Sequence, residues 1–167
     1  QNLNLIKGGG AALLQEKIVE TAANKLVVIT DASKQVDDLG TFDLPVEVVK
    51  FGWKTTKRLI ENVLIDQDVD CRIVTRRNNH TPVITDENHY ILDLKLNRIG
   101  NPNALSDALL NIAGVVETGL FLGMTHSIIM GNENGLARVK STGSLDWVDT
   151  SYDIQSLSQF IKNINNI

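Results

Sequence analysis

Three short stretches carry side chains that could act together. Lys7-Gly8-Gly9-Gly10 stands between a strand-like segment and a helical one. Glycines let the backbone approach an anion closely, the free N–H groups and dipole at a helix start favour negative charge, and Lys7 adds a full positive charge. A flexible turn that merely opens a helix explains the triplet equally well, and it is neither a Walker A loop nor a dinucleotide fingerprint. Glu16 lies six positions past Gly10, about 9 Å along a helix at 1.5 Å per residue. Its neighbours one turn away are Ala12, Leu13, Val19 and Glu20. Mostly apolar surroundings raise a carboxylate's pKa, which suits a general base. From pattern alone, a solvated glutamate pairing with Lys17 is the commoner outcome. Lys34 could reach a phosphate or carboxylate as a mobile point charge; taken singly it reads as a surface lysine.

Other candidates assemble less well. His80 and His89 flank a hairpin signal, His126 stands apart, and there is no H-E-x-x-H, so no metal is expected. Cys71 falls in a strand-like run and reads as an inert buried thiol. Arg76-Arg77 reads as a solvated turn, and Trp53 and Trp147 as packing residues.

The elements that must position these groups follow from periodicity. Gln1 to Ile6 alternates like a strand, Ala11 to Asn24 is rich in helix formers with apolar stripes on two sides, and Lys25 to Thr30 reads as a buried strand. Strand, glycine turn, helix and strand make a βαβ unit. The polar stretch from Asp31 to Gly40 sits past a strand's carboxyl end, where open α/β sheets place ligand loops. Further on come a strand (Pro45 to Lys50), a helix (Thr55 to Leu64, with Leu59, Ile60, Val63 and Leu64 facing in), a strand (Cys71 to Thr75) and a hairpin around Asp86-Glu87-Asn88. A helix from Pro102 to Ile112 is capped by Asn101, and a strand spans Val115 to Leu122. The order β-α-β-β-α-β over 45–122 predicts a ferredoxin-like α+β subdomain. The expected organisation is a partial Rossmann-like parallel-sheet α/β domain (1–44 and 123–140), that subdomain, and a polar linker with a C-terminal amphipathic helix (141–167).

Composition bounds the function classes. The 167 residues include 16 Lys plus Arg against 20 Asp plus Glu, a formal net charge of −4, which argues against a nucleic-acid binder. The apolar fraction of 43% is that of a globular protein. One cysteine excludes an internal disulfide and suits a reducing, cytoplasmic compartment. No apolar run approaches the roughly 18–20 residues of a membrane span. The first residue is Gln, inside a strand-like run, so the expectation is a chain cut from something longer.

Lys7-Gly8-Gly9-Gly10-Ala11-Ala12-Leu13 followed by Glu16-Lys17-Ile18 resembles the signature of type A ribose-5-phosphate isomerases. Asp31-Ala32-Ser33-Lys34-Gln35-Val36-Asp37 with Leu39-Gly40 is similar to a second motif of that family, Leu44 to Val48 to a third, and Gly114-Val115-Val116 with Gly119-Leu120-Phe121 to a fourth. The resemblance covers residues 1–140. It implies an aldose–ketose isomerase of the pentose phosphate pathway, working without metal or cofactor through a cis-enediolate. Glu16 would shuttle the proton, and Lys7, Gly8, Gly9, Gly10 and Lys34 would contact a sugar phosphate. It also implies a homodimer or homotetramer. Two features depart from the pattern. The family's upstream Gly-Thr-Gly-Ser-Thr loop and Asp-Gly-Ala-Asp-Glu segment would precede residue 1, and the tail past 140 is longer than expected. A non-catalytic sugar-phosphate sensor and an inactive fragment are therefore the alternatives.

Overall fold

A computed structural model describes residues 3–66, 72–131 and 137–150. In chain order the elements are β1 (Leu5–Ile6), α1 (Leu13–Ala22), β2 (Val27–Asp31), a 3-10 turn (Ala32–Lys34), β3 (Leu44–Val48), α2 (Trp53–Asp66), β4 (Arg72–Thr75), β5 (Arg77–Asn78), β6 (Thr81–Pro82), β7 (Tyr90–Lys95), α3 (Pro102–Leu110), β8 (Val115–Thr118), β9 (Leu120–Phe121), β10 (Ser127–Gly131), β11 (Ala137–Ser141) and β12 (Val148–Thr150). The fold is mixed α/β, with parallel and antiparallel pairing. Cys71 and the expected tail helix lie outside the described residues. Among the described residues no helix is long and apolar enough to cross a membrane.

Contacts divide the chain into two units: Asn4–Asn24 with Val36–Met124, and Lys25–Gln35 with the described residues from Thr125 onward. The first unit holds a four-stranded sheet in the order β4-β7-β3-β8, antiparallel throughout. With α2 after β3 and α3 after β7, this is the β-α-β-β-α-β order and strand arrangement of a ferredoxin-like fold. Alternation along β3 aims Leu44, Val46 and Val48 at one face. There they cluster with Ile60 and Leu64 of α2 and with Leu105 and Leu109 of α3, all buried. Asn101 caps α3 by accepting the Ala104 amide at 3.1 Å, and Pro102 fills the first turn, where its missing N–H costs nothing. Leu59, expected to face in, is partly exposed.

Pro45 and Glu47 point to the other face and are buried too: the glycine turn before α1 comes close to the Pro45 ring, and Thr85 and His89 meet Glu47. The Glu47 carboxylate has no exposure and is kept there by hydrogen bonds. The Thr85 hydroxyl donates to Oε1 at 2.8 Å, and Nδ1 of His89 lies 3.0 Å from the same oxygen. α1 differs from expectation: of its residues Leu13 is buried, while Ile18 and Val19 are 61% and 68% exposed. One exposed residue falls in each of the two expected apolar stripes, Ile18 beside Leu14 and Ala22 and Val19 beside Ala12 and Ala23, so neither stripe is buried as expected.

The predicted βαβ unit does not form. β1 pairs antiparallel with β9 in a two-stranded ribbon, with Leu5 opposite Phe121 and Ile6 opposite Leu120, while β2 belongs to a different sheet. Two residues of β1 are too short to direct a crossover, and Gly119 breaks β8 from β9 so that the chain can turn to meet them. The division of the chain shifts accordingly. Residues 4–24 group with 36–124, not with β2 as the 1–44 boundary had it, because α1 is tied to β8 by Lys17.

In the second unit the sheet order is β12-β11-β10-β2. β2 and β10 run parallel, Ile29 opposite Ile129, and the remaining pairs are antiparallel. β2 is an edge strand, and Ile29 is 78% exposed rather than buried. The expected linker after Ser141 instead contains a turn and β12, because Ala137, Arg138 and Val139 leave a second edge of β11 to pair.

Candidate active site

The site residues of the first unit are assembled by the β1–β9 ribbon. The Lys7 amide donates to Gly119 O at 2.9 Å, and the Gly119 amide donates to Pro45 O at 2.7 Å. A Cβ on Gly119 would fall 2.5 Å from Lys7 O and 2.6 Å from Pro45 Cγ, so only glycine admits this approach. The chain then turns: Gly8 adopts φ +93° and Ala11 φ +66°, and the Ala11 amide closes on Gly8 O at 3.1 Å. α1 begins with no side-chain cap and is anchored by Leu13, which has no exposure.

This geometry puts the Lys7 ammonium between two carboxylates of α1. Nζ lies 3.1 Å from Oε1 of Glu16 and 3.1 Å from Oε1 of Glu20. The two acids are four residues apart and so share one helix face. Partial burial pulls the Lys7 pKa down, but the hydrogen bonds and charges of Glu16 and Glu20 outweigh it and hold the ammonium above its ordinary value. The Glu16 neighbourhood is therefore charged rather than mostly apolar. Among the described residues, Oε2 of each carboxylate has no hydrogen-bond partner, and it is buried. Phe121, fully buried, lies under the cluster, its ring centre 5.3 Å from Lys7 Nζ and 4.8 Å from Lys17 Nζ. Lys17 does not pair with Glu16. It donates to Glu117 and to Thr118 O, both at 2.7 Å.

Gly8 is buried, whereas Gly9 and Gly10 are exposed. Arg76, which reads from sequence as a solvated turn residue, donates to the carbonyls of Gly8 (2.8 Å) and Gly9 (3.1 Å) and forks onto Asp93. Nothing in local sequence marks it, because its partners lie 17 to 68 positions away. Glu20 carried a visible signal in its spacing from Glu16.

Lys34 belongs to the second unit, at the end of the 3-10 turn after β2, and is exposed. Asp31 opens that turn by accepting the Ser33 amide at 2.8 Å, and the Ser33 hydroxyl and amide hold its carboxyl below the usual range. The histidines are dispersed. His89 meets Glu47, and His126 Nδ1 accepts the Leu26 amide at 3.1 Å. Among the described residues no group of three or more His, Cys, Asp or Glu could hold a metal ion.

A ferredoxin-like unit bearing a carboxylate–ammonium cluster beside an exposed glycine turn defines an α/β protein with a site suited to proton transfer. The family model described as ribose 5-phosphate isomerase A (phosphoriboisomerase A) matches residues 1–135. Ribose-5-phosphate isomerase A of Cereibacter sphaeroides is 54% identical over 142 residues, covering 84% of this chain and 57% of that protein. Among solved structures, ribose 5-phosphate isomerase from Plasmodium falciparum superposes with a TM-score of 0.78 at 32% identity, covering 85% of this chain and 61% of that one. A D-ribose-5-phosphate isomerase in complex with phospho-erythronic acid gives a TM-score of 0.72 at 36% identity, covering 83% and 59%. The chain belongs to the ribose 5-phosphate isomerase A family. It spans 57% of the length of the curated relative it matches.

Proposed function

We propose that the protein containing this chain interconverts D-ribose 5-phosphate and D-ribulose 5-phosphate, with Glu16 as the proton-transferring base. In the open-chain aldose, a Glu16 carboxylate oxygen takes the proton from C2. The C–H electron pair becomes the C1–C2 double bond, and the C1 carbonyl oxygen takes the charge. The proton returns from Glu16 to C1 while the C2 hydroxyl proton passes to O1, leaving the ketone at C2. Lys7 supplies a fixed positive charge for the developing oxyanion, the kind of preorganised electrostatic contact that stabilises an enediolate. Gly8, Gly9 and Gly10 line the substrate, and Lys34 is the contact that the family resemblance assigns on the turn after β2. Phospho-erythronic acid, with a carboxylate where the enediolate oxygens would be, is the ligand expected to report on this site.

The observation that carries the reading is the Glu16 carboxylate. One oxygen is held 3.1 Å from an ammonium, and the other is buried with no partner among the described residues, free to accept a proton. Glu16→Gln in the full-length protein is expected to lower turnover about 1,000-fold or more while phospho-erythronic acid still binds. Near-normal turnover in that variant rejects Glu16 as the base. Binding of the acid by the unmodified protein without any isomerisation would make it a sugar-phosphate sensor instead. A cytoplasmic homodimer or homotetramer belongs to the same reading, and sedimentation of the full-length protein checks the assembly.

A further inference from the structure

The glycine turn is gripped by a side chain that the proton transfer does not use. Arg76 follows β4, and its backbone is tied down on both sides: its amide donates to Ile91 O and its carbonyl accepts from the Val83 amide, each at 2.9 Å. The guanidinium forks onto Asp93 of β7, with Nε 2.9 Å from Oδ2 and Nη2 2.5 Å from Oδ1. Both side chains are largely buried, at 16% exposure each. Nη1 remains, and it donates to Gly8 O at 2.8 Å and Gly9 O at 3.1 Å.

Peptide geometry converts that grip into an orientation. The described peptide bonds are trans, and in a trans peptide the C=O of one residue and the N–H of the next point to opposite sides. Holding Gly8 O toward Arg76 therefore aims the Gly9 amide away from it, and holding Gly9 O does the same for the Gly10 amide. Among the described residues neither amide has a hydrogen-bond acceptor, and both residues are exposed. The Ala11 amide also holds Gly8 O, at 3.1 Å, so without the guanidinium the Gly8–Gly9 peptide keeps one of two ties. The Gly9–Gly10 peptide loses the tie on its carbonyl, and glycine peptides turn over readily, so that plane could flip and present a carbonyl in place of the amide. A carbonyl facing an anion repels it.

We propose that Arg76, braced by Asp93, is a positioning residue that presents the Gly9 and Gly10 amides to an anionic oxygen of the substrate. The inference rests on the sugar-phosphate reading of the site. Arginine suits the task because its planar fork serves the carboxylate and both carbonyls at once; a lysine ammonium in the same place cannot span them.

The test uses the full-length protein with Arg76→Ala, Arg76→Lys and Asp93→Asn, measuring isomerase kinetics, titration with phospho-erythronic acid and thermal midpoint. Arg76→Ala is expected to lower kcat/KM and the acid's affinity each by about 100-fold, the size of effect a misplaced binding group produces. Arg76→Lys should not recover it, and millimolar free guanidinium should restore part of both losses. A fall in kcat at unchanged KM puts the amides on the enediolate oxygen; a rise in KM at unchanged kcat puts them on the phosphate. Either supports the proposal. If Arg76→Ala does not fold, Asp93→Asn, which loosens the fork, must still show a smaller loss of the same kind. Wild-type kinetics and affinity in the variants overturn the proposal. So does a loss that free guanidinium leaves untouched while the thermal midpoint drops in step. Should the unmodified protein bind the acid but turn nothing over, the isomerase reading fails, and the affinity of Arg76→Ala still decides the positioning role.

Discussion

The Lys7 ammonium sits 3.1 Å from Glu16 Oε1 and 3.1 Å from Glu20 Oε1, so one cation is shared by two acids on a single helix face. The contact is not local. It exists because Gly119 lets β1 press against the main chain at Pro45, which delivers Lys7 to the start of α1 from the strand side.

The raised pKa of Lys7 carries a sign. A lysine whose pKa is higher folded than unfolded adds stability that is whole below its unfolded value, near 10.5, and is lost as pH rises through the folded value. Lys7→Met should therefore be destabilising relative to wild type at about pH 8, where Glu16 and Glu20 repel without their cation. The gap should narrow above about pH 10.5 as the wild type loses its ammonium. Urea unfolding of both proteins across that range measures it, and parallel profiles would contradict the linkage.

The loop residues should separate by conformation. A Cβ on Gly8 would meet Leu13 Cβ at 2.7 Å with φ at +93°, so Gly8→Ala should cost about 2 kcal/mol or more. Nothing lies within 4 Å of a Cβ on Gly10, and Gly10→Ala should change stability by no more than about 0.5 kcal/mol. Ala11 already carries a side chain at φ +66°, so Ala11→Gly is expected to stabilise by up to about 1 kcal/mol. Thermal unfolding of the three variants orders them; Gly8→Ala matching Gly10→Ala would refute the left-handed turn.

Ile60 of α2 has no exposure and packs in the core with Val46 and Leu109. Truncating it to Ala should cost about 3 kcal/mol through lost transfer energy and the cavity left behind. Val19→Ala on the exposed side of α1 should stay within about 0.5 kcal/mol. Denaturant midpoints for the two variants check the contrast, and a Val19 cost equal to that of Ile60 would mean that α1's outer stripe is covered in solution.

How much of this was legible beforehand depended on sequence distance. The β-α-β-β-α-β order could be read because each element has its own periodicity, and the α3 start because Asn101 and Pro102 cap it from adjacent positions. Lys7 and Glu16 could be singled out because a glycine turn and one helix separate them. The βαβ unit is expected but does not form: periodicity says that a strand exists but not which strand it pairs with. β1 found β9, over a hundred residues on, and β2 found β10. β12 falls inside the expected linker because three residues pairing at a sheet edge leave almost no periodic trace. Nothing in the residues beside Glu47 marks it as buried, and it is packing that encloses it with Thr85 and His89.

By itself the sequence determined the local chemistry: a glycine turn after a lysine, a helix with acids one turn apart, and the ferredoxin-like run of elements. Those are properties of neighbours, set by backbone freedom and side-chain period. Tertiary structure alone decided that Lys7 reaches both acids, that Lys17 is diverted to Glu117, and that Arg76 grips the loop through Gly8 and Gly9. Each of these is a charged or polar contact a few ångströms long. Its partners come together only after strands distant in the chain have paired, and no short stretch of residues encodes that pairing.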